Sequence, residues 1–175
     1  MAIIRKAAEA DIAAIVRIYD AILTNEEAGD VNIGWIRGVY PTEKTAREAL
    51  DKGILFVCED EGRIVAAAKI DQTQVPEYAD CSAWEYDVPD DEVMVLHTLV
   101  VNPHGPRRGY GKQFVAFYEQ YALEHGCHYL RMDTNAVNTI ARHMYRGLGY
   151  KEVGIVPCIF NGIPNVQLVC LEKRV

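Results

Sequence analysis

Val93-Met94-Val95-Leu96-His97-Thr98-Leu99-Val100-Val101 is an apolar run broken only by His97 and Thr98, and its reading decides the fold. Apolar side chains at both odd and even positions mark a strand buried on both faces, which belongs in the middle of a covered sheet. Asn102-Pro103 closes the run, and a small basic glycine loop follows, Pro106-Arg107-Arg108-Gly109-Tyr110-Gly111-Lys112. The spacing of Phe114, Phe117, Tyr118 and Tyr121 predicts a helix over residues 112–125 that buries them and stops at Gly126. Residues 129–134 read as a strand. Asn138, Ala141, Tyr145 and Leu148 then share one stripe of a further helix, closed by Gly149-Tyr150.

Upstream, Ile3-Ile4 starts a short strand, and Asp11 opens a helix carrying Ile12, Ile15, Val16, Tyr19 and Leu23 at helical spacing. Residues 26–38 mix Gly, Asn and polar side chains around Trp35 and read as an irregular segment. Tyr40-Pro41-Thr42 enters a helix over residues 43–52 that ends at Gly53. Residues 54–59 and 64–70 form strands joined by Asp60-Glu61-Gly62-Arg63, a hairpin signal. The acidic residues 72–92, with Tyr78, Trp84 and Tyr86 among them, show no period and read as a loop. Strands over 150–156 and 166–172, with a turn at Asn161-Gly162, complete the chain. The order β-α-α-β-β-β-α-β-α-β-β, without repeats or linkers, predicts a single domain over residues 1–175. It is of the α/β (α+β) class, one mixed sheet with helices on both faces.

Half of the 175 residues are hydrophobic, which describes a globular chain with a sizeable core. A net charge of −7 argues against nucleic acid, because an anionic surface repels the phosphate backbone, and it leaves room for a cationic amine. Cys58, Cys81, Cys127, Cys158 and Cys170 are odd in number and never in C-x-x-C spacing, and read as reduced thiols of a cytoplasmic protein. His125 and His128 flank Cys127 without zinc-like spacing, so no metal is expected. No signal peptide and no membrane-spanning run is expected either.

The glycine loop carries the first chemical signal. Backbone N–H groups at a helix start point outward unpaired, and the helix dipole adds positive potential, so such a loop grips phosphates. Gly109 and Gly111 let the backbone approach phosphate oxygens closely, while Arg107, Arg108 and Lys112 add formal charge. The spacing is neither G-x-x-x-x-G-K-[ST] nor G-x-G-x-x-G, which excludes a Walker loop and a dinucleotide fingerprint.

Strand, loop, helix and the pattern Asn138-x-x-Ala141-x-x-x-Tyr145-x-x-x-Gly149-Tyr150 together resemble the GNAT superfamily of N-acetyltransferases. Pro106 stands where that family's loop begins with Arg or Gln, and Arg107 follows one position later. The resemblance implies a single mixed, mostly antiparallel sheet and acetyl-coenzyme A as acyl donor, without a metal. It implies that the coenzyme's pyrophosphate sits on Arg107, Arg108, Gly109, Tyr110, Gly111 and Lys112. The pantetheine arm would lie along the main chain of Leu99, Val100 and Val101, with Asn138 at its amides or as a helix cap. A backbone amide near Leu99 would polarise the thioester carbonyl, an effect that can contribute ~3 kcal/mol.

Tyr145 would protonate the leaving thiolate, and its ordinary pKa near ~10 suits that task. An attacking amine must lose a proton, and His97, with an ordinary pKa around ~6.5, is the candidate base, with Glu85 and Glu92 in reserve through water. No cysteine has a basic neighbour at the thioester, so direct transfer in a ternary complex is expected. Trp35, Tyr40, Trp84 and Glu85 lie in the irregular segments and are candidates for the acceptor pocket. The expected partner is a small-molecule primary amine, with no nucleic acid or membrane and with a homodimer possible. The alternatives are a protein or peptide N-acetyltransferase and a non-catalytic coenzyme A sensor.

Overall fold

The structure, a computed structural model, describes residues 2–175. Its strands are β1 (Ile3–Lys6), β2 (Leu55–Asp60), β3 (Arg63–Asp71), β4 (Val93–Val101), β5 (Tyr129–Asn135), β6 (Lys151–Phe160) and β7 (Ile163–Arg174). The helices are α1 (Ile12–Ala28), α2 (Glu43–Asp51), α3 (Tyr110–Glu124) and α4 (Thr139–Gly147). One seven-stranded sheet runs β1-β2-β3-β4-β5-β7-β6, antiparallel throughout except for β4 beside β5. The order of elements is the one read from the sequence.

Side-chain alternation divides the sheet into two buried faces. Met94 and Leu96 of β4, Leu130 and Met132 of β5 and Ala68 of β3 meet Phe114 and Tyr118 of α3 and Tyr145 of α4. On the opposite face, Val57, Ala67 and Val100 lie under Ile15, Ile18 and Tyr19 of α1 and Ala46 of α2. Val93, Val95, Leu168 and Cys170 continue that face beneath Tyr78 and Tyr40. β4 is therefore covered on both sides, as its unbroken apolar run requires.

Four boundaries differ from the sequence reading, each for a local reason. α1 continues to Ala28 and stops at Gly29, whose φ of +78° gives it a left-handed cap. The Glu26 carboxylate accepts the N–H groups of Ile33 and Gly34 at 2.7 and 2.8 Å, which folds the next segment back and carries Trp35 over the sheet. α3 starts at Tyr110 because Gly109, at φ +72°, turns the chain into the helix. β6 and β7 are longer than expected; β6 is an edge strand and tolerates Pro157, whose missing N–H costs no ladder bond there. Residues 72–92 form no regular strand, yet they are tied down by Arg131 of β5. Its guanidinium donates to Glu172 at 3.3 Å, to Gln74 Oε1 at 2.6 Å and to the Tyr86 carbonyl at 2.7 Å.

Candidate active site

The β4–β5 ladder pairs Val93 with Tyr129 through Leu96 with Met132 and then ends. Beyond that point the two strands part, and alternate backbone groups of residues 97–101 turn toward β5 with no strand to meet them. β4 also breaks register against β3 between Ala67 and Lys69. The cause is Thr98, whose φ of +53° is a strained value for a β-branched residue. The Tyr40 hydroxyl hydrogen-bonds the Thr98 hydroxyl and holds the bulge. Strain of this kind persists only where surrounding contacts over-determine it, and it gathers at functional sites.

The parting opens a cleft of about 310 Å³. Leu99, Val101, Asn138, Ala141 and Tyr145 wall it on the side of the α3–α4 layer, and Trp35, Tyr40, His97 and Val100 on the other. Asn138 caps α4, its Oδ1 accepting the Ala141 N–H at 3.2 Å, so the capping and cleft-lining roles coexist. The Tyr145 side chain is buried and hydrogen-bonds no described residue, although a buried tyrosine hydroxyl usually finds a partner. Burial first, and the charge of Asp133 second, raise its pKa, so the hydroxyl stays protonated and is a donor to whatever occupies the cleft.

His97 Nε2 lies 3.0 Å from Asp71 Oδ1, which leaves Nδ1 as the second nitrogen of the ring. Burial pulls the Asp71 carboxyl upward, but the hydrogen bond and charge of His97 outweigh it and hold the group below its ordinary value. A carboxylate in this position fixes the ring and stabilises the imidazolium that forms when it takes a proton.

The phosphate-type loop follows Pro103, the last cleft wall on that side. Gly109 occupies the left-handed region where a Cβ costs energy, and nothing else lies within 4 Å of it. Gly109→Ala should therefore cost about 1 kcal/mol through backbone strain alone, lowering the melting temperature by ~3 °C. A Cβ on Gly111 would sit 3.3 Å from Met144 Sδ, so α3 packs tightly on α4 here. Arg107 and Lys112 are exposed cations. Arg108 is committed to Asp60 at 2.7 Å and Glu61 at 2.9 Å, and the Tyr110 ring turns inward so that its hydroxyl reaches Asp60 at 2.7 Å. Of Tyr110, only the main chain faces the loop. An elongated thioester arm fits the open edge of β4, and a pyrophosphate fits the glycine turn at the start of α3.

The structure does not bring Trp84 and Glu85 to the cleft. Trp84 donates its Nε1–H to the Tyr78 carbonyl at 2.9 Å and lies under the Arg131 guanidinium, 4.1 Å from its ring centroid. Glu85 pairs with Lys151 and gives its N–H to Glu172 at 2.8 Å. Both anchor residues 72–92, because Arg131 draws that segment onto the sheet. Glu92 is exposed at the opposite end of β4 from the parting.

Lys69 and Asp133, which no sequence motif marks, also line the cleft, as does Thr98. The Asp133 carboxylate accepts the Tyr78 hydroxyl at 2.7 Å, and burial raises its pKa despite that bond. The signal that could have found Lys69 and Asp133 is alternation: Lys69, Asp71, Arg131 and Asp133 occupy odd positions of otherwise apolar strands, hence one face.

Residues 16–150 match the acetyltransferase (GNAT) family, and the chain belongs to it. It is similar to the Aminoglycoside N(6')-acetyltransferase type 1 of Salmonella typhimurium, 32% identical over 60 residues. That match spans 34% of this chain and 41% of the relative, about two fifths of its length. The fold resembles a GNAT family acetyltransferase of Streptococcus agalactiae, with a TM-score of 0.82 at 20% identity over 99% of this chain and 95% of that one. It also resembles the yncA protein of Salmonella typhimurium, solved with its cofactor acetyl-CoA (TM-score 0.66, 17% identity, 99% and 93% covered).

Proposed function

We propose that this chain transfers an acetyl group from acetyl-coenzyme A to the primary amine of a small molecule, by direct attack in a ternary complex. The observation that carries this is a cleft passing between β4 and β5, with an Asp71-oriented His97 on one face and a partnerless Tyr145 hydroxyl on the other. The bound coenzyme supplies the activated acetyl thioester. Residues 107–112 and the main chain of 99–101 hold it, and a backbone amide beside Leu99 offers a fixed dipole to the carbonyl oxygen. His97 takes the ammonium proton onto its ring while Asp71 balances the charge. Tyr145 holds its phenolic proton for the departing sulfur.

Burial pushes the thiols of Cys58 and Cys127 up, and neither lines the cleft, which favours direct transfer over an acyl-cysteine route. All five cysteines are free, which suits a reducing compartment such as the cytoplasm, and no described helix is long and apolar enough to cross a membrane. The small acceptor is favoured over a peptide by the roof. Trp35 packs edge-on to Tyr40 at 5.9 Å, and Phe160 and Ile163 of the β6–β7 hairpin close the far side. A cleft near the lower size limit for ligand pockets must then take both an arm and an acceptor. The aminoglycoside acetyltransferase relative also acts on a small amine, as its name states.

The test is thiol release from acetyl-coenzyme A with small primary amines and with peptides bearing free N-termini. Faster turnover on a small amine is expected. Peptide preference would move the assignment to the protein-acetylating class, and coenzyme binding with no turnover on any acceptor would favour a sensor.

A further inference from the structure

Three strands present one row of ionisable side chains to the acceptor side of the cleft. Lys69 of β3 is the register partner of His97 of β4. Asp133 of β5 comes directly after Met132, the partner of Leu96, so it flanks His97 across the parting. With strands ~4.8 Å apart, the Cα atoms of Lys69 and Asp133 are separated by about two strand spacings, ~10 Å before any splay. Each member is held from behind: Asp133 by Tyr78 at 2.7 Å, His97 by Asp71 at 3.0 Å, and Lys69 by the Tyr40 hydroxyl at 3.5 Å.

Lys69 is the unusual member. It is largely buried, it lines the cleft, and no carboxylate among the described residues lies within ion-pair distance of it. Burial favours its neutral form, opposed by the charges of Asp71 and Asp133. A buried ammonium without an ion-pair partner is costly unless something anionic meets it in the working state. Behind it the cleft abuts a second pocket walled by Lys44, Lys52 and Glu48, with Lys69, Tyr40 and Asn161 shared between the two. Lys44 pairs with Glu48 at 3.6 Å; the charge of Lys52 works against the Lys69 ammonium and that of Glu48 supports it. At the other end of the row, Asp133 is the sole carboxylate of the cleft wall among the described residues. A polycationic acceptor would find one acid and a buried lysine there, a poor match in charge.

We propose that the acceptor is a zwitterion, a small amine that also carries a carboxylate, laid across this row with its carboxylate at Lys69 and its amine between His97 and Asp133. This rests on the acetyltransferase reading and narrows it. Asp133 binds the ammonium and His97 removes the proton. The free amine forms the N–C bond as the C–S bond breaks; Tyr145 gives its proton to sulfur, the second proton on nitrogen returns to the Tyr145 oxygen, and His97 releases the first proton to solvent. The Lys69 contact is a charge-assisted one and should be worth about 10- to 100-fold in kcat/KM.

The experiment compares amino carboxylates of increasing chain length (glycine, β-alanine, γ-aminobutyrate and longer homologues) with their methyl esters and with an aminoglycoside. Wild type and Lys69→Met are assayed by thiol release. In parallel, binding of the same compounds is followed by the fluorescence of Trp35, a cleft residue, which needs no turnover. The best acid should exceed its ester by at least about 10-fold in wild type, and Lys69→Met should bring the acid-to-ester ratio close to one. Equal use of acid and ester, preference for the aminoglycoside, or an acid-to-ester ratio unmoved by Lys69→Met would each overturn the proposal. If nothing is acetylated, the acetyltransferase reading fails by itself. Acid-selective binding that depends on Lys69 would still support the zwitterion site, and its absence would refute it.

Discussion

Tyr145→Phe should lower kcat by about 10²-fold, or roughly 3 kcal/mol in the barrier, while acetyl-coenzyme A binding stays within about twofold of wild type. The change removes one oxygen that hydrogen-bonds no described residue, so the fold loses no internal contact. Its ring remains packed edge-on to Tyr150 at 6.1 Å, and the core is undisturbed. On the proposed mechanism, what disappears is the proton held near the leaving sulfur, an interaction that matters as negative charge develops there. Kinetics and calorimetry on the same preparation check it. A kcat within about threefold of wild type would remove Tyr145 from the acid role. The defect should shrink for thioesters with more acidic leaving thiols, which depart without help; a purely structural role would leave it constant.

Arg131→Ala should destabilise the chain by about 3–5 kcal/mol, the range expected when one partner of a buried ion pair is removed. The side chains of Arg131 and Glu172 are 8% and 1% exposed, so truncation leaves a carboxylate in the interior without its cation. Gln74, Tyr86 and the Trp84 ring lose their common anchor at the same time. At ~2–4 °C per kcal/mol, the melting temperature should fall by about 6–20 °C. Residues 72–92 should become the first segment cut by protease. Tyr78 lies in that segment and donates to Asp133, so activity should fall more steeply with temperature than in wild type. The paired replacement Arg131→Met with Glu172→Leu should recover much of the loss, because neither charge is then buried alone. Equal melting of wild type and Arg131→Ala would show that the segment is held by its apolar contacts instead.

The architecture was legible because strongly periodic segments speak for themselves. The run from Val93 to Val101 announced a central strand, and the glycines at 53 and 126 marked helix ends to within a residue or two. The glycine turn ahead of α3 and the α4 stripe that carries Tyr145 to the cleft wall were legible because their signals are local, carried by short patterns on single elements. Lys69 and Asp133 are on strands separated in sequence, and only the register of β3, β4 and β5 sets them beside His97. Trp84 and Glu85, candidates for the acceptor pocket, lie away from the cleft for a related reason. A lone arginine on β5 reclaims that segment for the sheet, and nothing in the local sequence of residues 72–92 records the attraction.

We propose that the parting of β4 and β5 beside α4 holds the arm of acetyl-coenzyme A. Calorimetric titration of acetyl-coenzyme A into wild type and into Ala141→Trp tests it most directly. Ala141 is partly exposed on the cleft wall, so an indole there fills the space while circular dichroism verifies the fold. One molecule should bind per wild-type chain, with at least about 100-fold weaker binding to the variant, the consequence of closing the pocket to the arm. Absence of binding to wild type, or equal binding to both proteins, would contradict it.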